Sequence, residues 1–222
     1  LPEGATLVVL ISGQGRNLQA LIDAIADGKL QARIAAVVSN RTDAYGLERA
    51  RRAGIPTQVL SHRGFPDRES FDAALVDLIA PHRPDIVVLA GFMRILTPVF
   101  VRAFAGRMLN IHPSLLPRHP GLDTHRKALE AGDREHGATV HFVTEALDGG
   151  PAIIQGAFTI GSEDTANSLA ERVMHDIEVR IFPQAVQWMV QGRLTLRENV
   201  AHLDGYPLRA PLTLDALSPE FR

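Results

Sequence analysis

The chain has no cysteine. Disulfides, thiolate nucleophiles and Cys-bearing zinc sites are thereby excluded, and a reducing compartment, the cytoplasm, is expected. Neither sign of charge is in excess: 23 Lys and Arg face 25 Asp and Glu, a formal charge of -2. With no block of like charge, electrostatic capture of nucleic acid or of a membrane surface is not indicated, although a local anion site remains open. Long hydrophobic runs are missing too. "TLVVLIS" and "DIVVLAGF" fall well short of the roughly 18 apolar residues of a spanning helix. There is no leader pattern, no internal repeat and no low-complexity stretch. The opening "LPEGA" lacks a methionine, so residues 1–5 are expected to be disordered or non-native. What is present is 222 residues that are 45% hydrophobic, enough for a sizeable core in a single domain over 1–222, with 206–222 as a C-terminal tail.

Apolar runs alternate with helical spacing. Residues 6–12, 33–39, 85–92 and 108–112 are short, continuous and rich in Val, Ile and Leu, as strands buried on both faces of a parallel sheet are. Between them Leu18, Leu21, Ile22 and Ile25 recur at helical period, "AYGLERARRAG" ends on Gly54, and "PDRESFDAALVDLIA" runs up to Pro81 and Pro84. This order predicts an α/β, Rossmann-like domain, a mostly parallel twisted sheet with helices on both faces. Beyond Asn110 a proline-rich loop leads to a short helix near residues 124–130. "HGATVHFVT" and "PAIIQGAFTI" read as strands closed into a hairpin by "EALDGG", which places an antiparallel strand in the C-terminal half. Residues 165–190 read as a long helix interrupted at Pro183, and "RLTL" as a small terminal strand.

"ISGQGRNLQALIDAI" sets Gly13 and Gly15 between the first strand and first helix, where backbone amides and a helix N-terminus receive anions. Leu18 stands where a dinucleotide fingerprint needs its third glycine, and no Gly-Lys-Ser/Thr follows. A small phosphorylated ligand fits better than a dinucleotide; the plain alternative is a tight turn with Asn17 capping the helix. In "NIHPSLLPRHPG" Asn110 and His112 end a strand, two residues apart and so on one face, able to converge on one atom about 3 Å from each. Amide and imidazole together suit attack on a carbonyl-like carbon: one stabilises an oxyanion, the other moves a proton. Asp148, in "EALDGG", is the candidate third member, whose charge would favour the imidazolium. The bland alternatives are loop hydrogen bonds for Asn110 and His112 and turn formation for Asp148.

Other chemistries are poorly supported. Ser114 lacks a nucleophile elbow. Most of the nine histidines are expected at the surface or in loops, and no metal is expected, since His125 and His136 are too loosely spaced to argue for one. His141, opposite the apolar face of its strand, is read as facing solvent in preference to lining the cleft.

"NIHPSLLPRHPG", with "PDIVVLAGFMRIL" before it and "HGATVHFVTEALDGGPAIIQ" after it, resembles the folate-dependent formyltransferases, and "VVLISGQGRNLQALIDA" and "SNRTDAYGLERARRAGIP" look like their purine-synthesis branch. The resemblance covers nearly the whole chain. It implies formyl transfer from 10-formyltetrahydrofolate to the amine of glycinamide ribonucleotide, without metal, by a monomer or homodimer with no nucleic-acid or membrane partner. It implies that Asn110 donates to the oxyanion, that His112 is the catalytic proton donor, and that Asp148 assists it through water. Gly15, Arg16 and Asn17 match the phosphate loop, and His175, Asp176, Ile177 and Glu178 match the ribonucleotide's other contact, with Glu178 accepting from ribose hydroxyls. Without the resemblance Glu178 reads as an exposed helix carboxylate. Arg68, Met93, Arg94, Ile95, Leu96, Asn110, Thr144, Glu145, Ala146, Leu147 and Asp148 match folate contacts, Arg68 and Arg94 facing the glutamate tail. Arg16 departs from a serine common in the family, and Asp123 from a frequent histidine. The rivals are a formyltetrahydrofolate hydrolase, a methionyl-transfer-RNA formyltransferase and a catalytically silent nucleotide-binding module. The first two are expected to need an additional domain for which 222 residues leave no room.

Overall fold

β1 (Ala5–Ile11) explains itself by where its side chains go. Leu7, Val9 and Ile11 enter one core, Val8 and Leu10 the other, so both faces are covered and the strand must be apolar throughout. β4 (Ile86–Leu89) divides in the same way, Ile86 and Val88 from Val87 and Leu89. In this computed structural model, which describes residues 4–222, β1 lies mid-sheet. Leu1, Pro2 and Glu3 are outside the described residues; Ala5, expected in a non-native start, begins β1.

β2 (Ala32–Ser39), β3 (Thr57–Val59), β5 (Met108–His112), β6 (Glu135–Phe142) and β7 (Ala152–Thr159) complete a sheet ordered β3-β2-β1-β4-β5-β6-β7. Pairing is parallel from β3 to β5, then antiparallel at β5–β6 and β6–β7. α1 (Arg16–Ala26), α2 (Tyr45–Arg52) and α7 (Val179–Val190) cover one face through Leu18, Leu47 and Phe182. α3 (Arg68–Ile79) and α4 (Pro98–Ala103) cover the other through Phe71, Leu75 and Phe100. α3 starts where the Asp67 carboxylate accepts from the Ser70 amide at 2.7 Å, an N-cap. α5 (Thr124–Glu130) precedes β6, as the sequence predicts.

The C-terminal third differs from expectation. α6 (Ala166–Arg172) begins with a capping box at Thr165 and Ser168, then widens into one π-helical turn, Val173–Glu178, before α7. The irregularity is this turn. Pro183 sits inside α7 without ending it, at the loss of the one helical bond its nitrogen would have donated to the Val179 carbonyl. "RLTL" is β8 (Leu194–Arg197), paired with β9 (Val200–Leu203) and through it with β10 (Tyr206–Pro207) in a separate antiparallel sheet. Residues 206–222 are built in: Leu212 exchanges backbone hydrogen bonds with Ile153 and Gln155 at 2.9 and 2.8 Å, and Leu217 and Phe221 are buried. Among the described residues, no helix is long and apolar enough to cross a membrane.

Candidate active site

The strand order reverses direction at β1, so the loops leaving β1 and β4 part to opposite sides, which is where open α/β sheets bind ligands. The Ser12 amide donates to the Gly91 carbonyl at 3.0 Å, and the Met93 amide to Ser12 Oγ at 2.8 Å, tying the two loops together. Asn110 and His112 stand on the neighbouring β5; Asn110 is in register with Leu89 of β4 and His141 of β6.

His141 does not stand where its strand pattern places it. It is 2% exposed, so it does not face solvent, and its Nε2 lies 3.1 Å from Asn110 Nδ2. Its Nδ1 lies 2.9 Å from the Phe142 carbonyl. A carbonyl only accepts, so Nδ1 carries the proton and Nε2 receives an N–H from Asn110. Burial pushes the His141 pKa down, partly opposed by the Phe142 hydrogen bond, which favours this neutral form. The orientation of the Asn110 amide is therefore set, with its NH2 end toward His141.

His112 is 6% exposed. Its Nε2 donates to the His119 carbonyl at 2.9 Å, and its Nδ1 is 3.7 Å from Asp148 Oδ2. That separation is too long for a hydrogen bond but close enough for charge to act between two nearly buried groups. Asp148 Oδ2 also accepts from the Gly121 amide at 2.8 Å. Ser114 is fully buried and donates to the Arg118 carbonyl at 2.7 Å, a loop brace with no nucleophilic geometry. His125 Nδ1 and His136 Nε2 are 2.9 Å apart; His112, His136 and His141 are buried, while the other six histidines are half-buried or exposed. Among the described residues no group of three or more His, Cys, Asp or Glu is arranged to hold a metal ion.

A second cluster surrounds the first loop. Gly15 has φ +72°, and a Cβ there would come within 2.5 Å of Gly46 Cα, so only glycine fits. Asn17 does not cap α1. It donates from Nδ2 to Glu178 Oε2 at 3.0 Å, while its buried Oδ1 has no partner. Glu178 is 5% exposed, not the exposed carboxylate its local sequence suggests; burial pushes its pKa up to about 6, against the pull of Asn17. Arg16 forms a two-point pair with Glu171 at 2.9 and 3.1 Å, and His175 Nε2 lies 3.2 Å from the same carboxylate. Glu171 was not foreseen. The Ile177 side chain is in the core and Asp176 is exposed. A groove of about 440 Å³ between α1, α7 and the C-terminal turn is lined by Arg16, His175, Arg180 and Phe221, so it adjoins this cluster and not Asn110 or His112.

The segments expected to contact folate are more open. Met93, Ile95 and Leu147 are 61%, 47% and 58% exposed, an unusual concentration of bare apolar side chains. The Arg94 guanidinium lies 4.9 Å from the Phe71 ring centroid, and its buried Nε has no partner. Arg68 opens α3 and is exposed, Leu96 packs on the second core, and Thr144 is half-buried. Glu145 accepts from Arg102 at 2.8 Å, and the exposed Ala146 closes a turn with Gly149.

An open sheet that presents an oriented amide, an imidazole and a carboxylate, with no protein nucleophile among them, defines a group-transfer enzyme whose substrate supplies the attacking atom. The formyl transferase family model matches residues 5–186, and the chain belongs to that family. It is 54% identical over 202 residues to the phosphoribosylglycinamide formyltransferase of Escherichia coli (strain K12), covering 91% of this chain and 95% of that protein. It is 47% identical over 195 residues to the trifunctional purine biosynthetic protein adenosine-3 of Homo sapiens, covering 88% of this chain and 19% of that one. The solved structure of the phosphoribosylglycinamide formyltransferase from Coxiella burnetii in complex with CHES superposes with a TM-score of 0.91 at 48% identity, covering 95% of this chain and 99% of that one.

Proposed function

We infer that the protein transfers a formyl group from 10-formyltetrahydrofolate to the amine of glycinamide ribonucleotide, a step of purine biosynthesis. The carrying observation is 54% identity across 95% of a phosphoribosylglycinamide formyltransferase, and the geometry around His112 agrees with it. Folate supplies the formyl carbon. Asn110, its amide aimed by His141, donates an N–H to the formyl oxygen as it gains charge. His112 keeps Nε2 protonated against the His119 carbonyl, so Nδ1, beside Asp148, takes the proton from the attacking amine and returns it to the folate nitrogen as its bond to the formyl carbon breaks. Asp148, held by the Gly121 amide, stands on the Nδ1 side of the ring, where the proton is exchanged.

Both ligands have fitting partners. The orphaned Asn17 Oδ1 and the buried Glu178 carboxylate provide acceptors for ribose hydroxyls, and the backbone of Gly15 to Asn17 opens a helix suited to phosphate. The orphaned Arg94 Nε and the exposed Met93, Ile95 and Leu147 suit a ligand with an apolar ring and an acidic tail, with Arg68 near the tail. Leu96 and residues 144–148 complete that side. We place the activity in the cytoplasm, in one domain acting as a monomer or homodimer.

The deciding experiment is a formyl-transfer assay of the purified protein with and without the ribonucleotide. Formylated ribonucleotide is expected, dependent on both substrates and without added metal. Deformylation of the folate at the same rate with no ribonucleotide would instead identify a hydrolase.

A further inference from the structure

Residues 119–121 contribute to both partners of the proton relay. The His119 carbonyl accepts from His112 Nε2 at 2.9 Å, and two residues on the Gly121 amide donates to Asp148 Oδ2 at 2.8 Å. The backbone here is under constraint: His119 has φ +49°, uncommon for a residue that is not glycine. The His119 ring is held by Asp133, Nε2 to Oδ2 at 2.7 Å, with both side chains less than one-fifth exposed. Asp133 lies between α5 and β6, and its own amide donates to the Ala128 carbonyl at 3.1 Å, so the anchor is itself fixed. Other braces of the loop, among them Ser114 to the Arg118 carbonyl, Gln155 to the Leu116 carbonyl and Thr139 to the Ser114 carbonyl, act earlier in the loop.

We propose that the His119–Asp133 pair is a positioning device for the transfer reaction: it holds the carbonyl that fixes the tautomer of His112 and the amide that aims Asp148. Neither side chain hydrogen-bonds to the ligand segments at Gly15 to Asn17 or at Met93 to Leu96, and the pair acts through His112 and Asp148. If the His119 carbonyl drifts, Nε2 loses its acceptor and the neutral ring is free to move its proton to Nδ1, toward the Asp148 carboxylate. A ring in that tautomer has no lone pair at Nδ1 with which to take the amine's proton. The proposal rests on the formyl-transfer reading for its kinetic consequence, whereas the tautomer is a property of the protein alone.

The test uses two variants. His119→Asn tolerates the left-handed backbone but is too short to reach Asp133; Asp133→Asn keeps the shape and removes the charge. In ligand-free, 15N-histidine-labelled protein above pH 8, the wild-type His112 ring is expected as the Nε2–H tautomer and both variants as a mixture. In the transfer assay kcat is expected to fall about 10²-fold, as for a small misplacement of a reacting group, with KM for both substrates within about twofold. The double variant is expected to be no slower than the slower single, since the two residues act as one unit. An Nδ1–H tautomer in the wild type overturns the proposal, as does a folded variant with unchanged tautomer and unchanged kcat, or a double variant whose losses multiply. Should the wild type transfer no formyl group, the functional reading fails while the tautomer measurement still decides this one.

Discussion

Glu178 carries an electrostatic penalty in the unliganded site. Its pKa is pushed up from 4.5 to about 6, chiefly by burial. A folded value above the unfolded one means that the protonated form stabilises the fold below pH 4.5, and that this stability is lost as pH rises through about 6. Above that pH an ionised carboxylate that is 5% exposed costs about 2 kcal/mol. Glu178→Gln keeps an acceptor for Asn17 and removes the charge. It is expected to raise the thermal midpoint by about 4–8 °C at pH 8, and not at pH 4.5. The same variant is expected to raise KM for the ribonucleotide at least about tenfold, the loss of a charged hydrogen bond to ribose. An equal thermal gain at both pH values would show that buried charge is not the cause. Asn110, His112 and Asp148 were legible as candidates from spacing and motif, because the chemistry proposed for them resides in side-chain type. The partners of that chemistry were not: the His119 carbonyl and Gly121 amide carry no residue signature, and the reach of His141 to Asn110 depends on hairpin register.

The element that most shapes the cluster proposed to hold the ribonucleotide is the wide turn Val173–Glu178, which buries Ile177 and Glu178 together. It lies against β7 at Gly156, where an added Cβ would come 2.5 Å from Ile177 Cγ2. That methyl sits on a branched Cβ with one strongly preferred rotamer, so the turn must shift and take Glu178 with it. Gly156→Ala is expected to destabilise the protein by about 1–3 kcal/mol, the range of core overpacking, and to raise KM for the ribonucleotide several-fold with little change in kcat. Denaturant titration and steady-state kinetics measure both, and Ile177→Ala in the same chain is expected to restore much of the KM. A lowered kcat at constant KM would mean that the turn acts elsewhere. Elements with apolar runs or a clear period were legible in kind and place, Met108–His112 with its bounds, whereas the run 85–92 forms a strand only over Ile86–Leu89. β3 was not, since three residues of an edge strand give no alternation to read, and α4 was not, at six residues after a proline-led start. The break assigned to Pro183 belongs to the turn ahead of it, where the sequence carries no helix-breaking residue.

Across the whole molecule, the titration of buried histidines sets how the fold responds to acid. His136 is 1% exposed and its pKa is lowered from 6.5 to about 4, first by burial and then by His125 and His119, with Asp133 opposing. His125 is lowered by burial and by His112, and His141 by burial. Each folded value lies below the unfolded one, so the unfolded chain binds more protons, and stability present above about pH 6.5 is lost as pH falls toward 4. Glu178 works in the opposite sense between about 6 and 4.5, and so does Asp72, whose pKa is raised by burial, but these are two groups against three. The thermal midpoint is therefore expected to be nearly level from pH 7 to 8 and to fall steeply from pH 6.5 to 4.5, with net proton uptake on unfolding in that interval. His136→Asn, which cannot titrate, is expected to flatten the slope even if it lowers the midpoint at pH 8. A level profile down to pH 4.5, or an unchanged slope in the variant, would mean that these rings are not held neutral by the fold, and the cluster behind His112 would then have to carry charge that its 2.9 Å His125–His136 contact opposes.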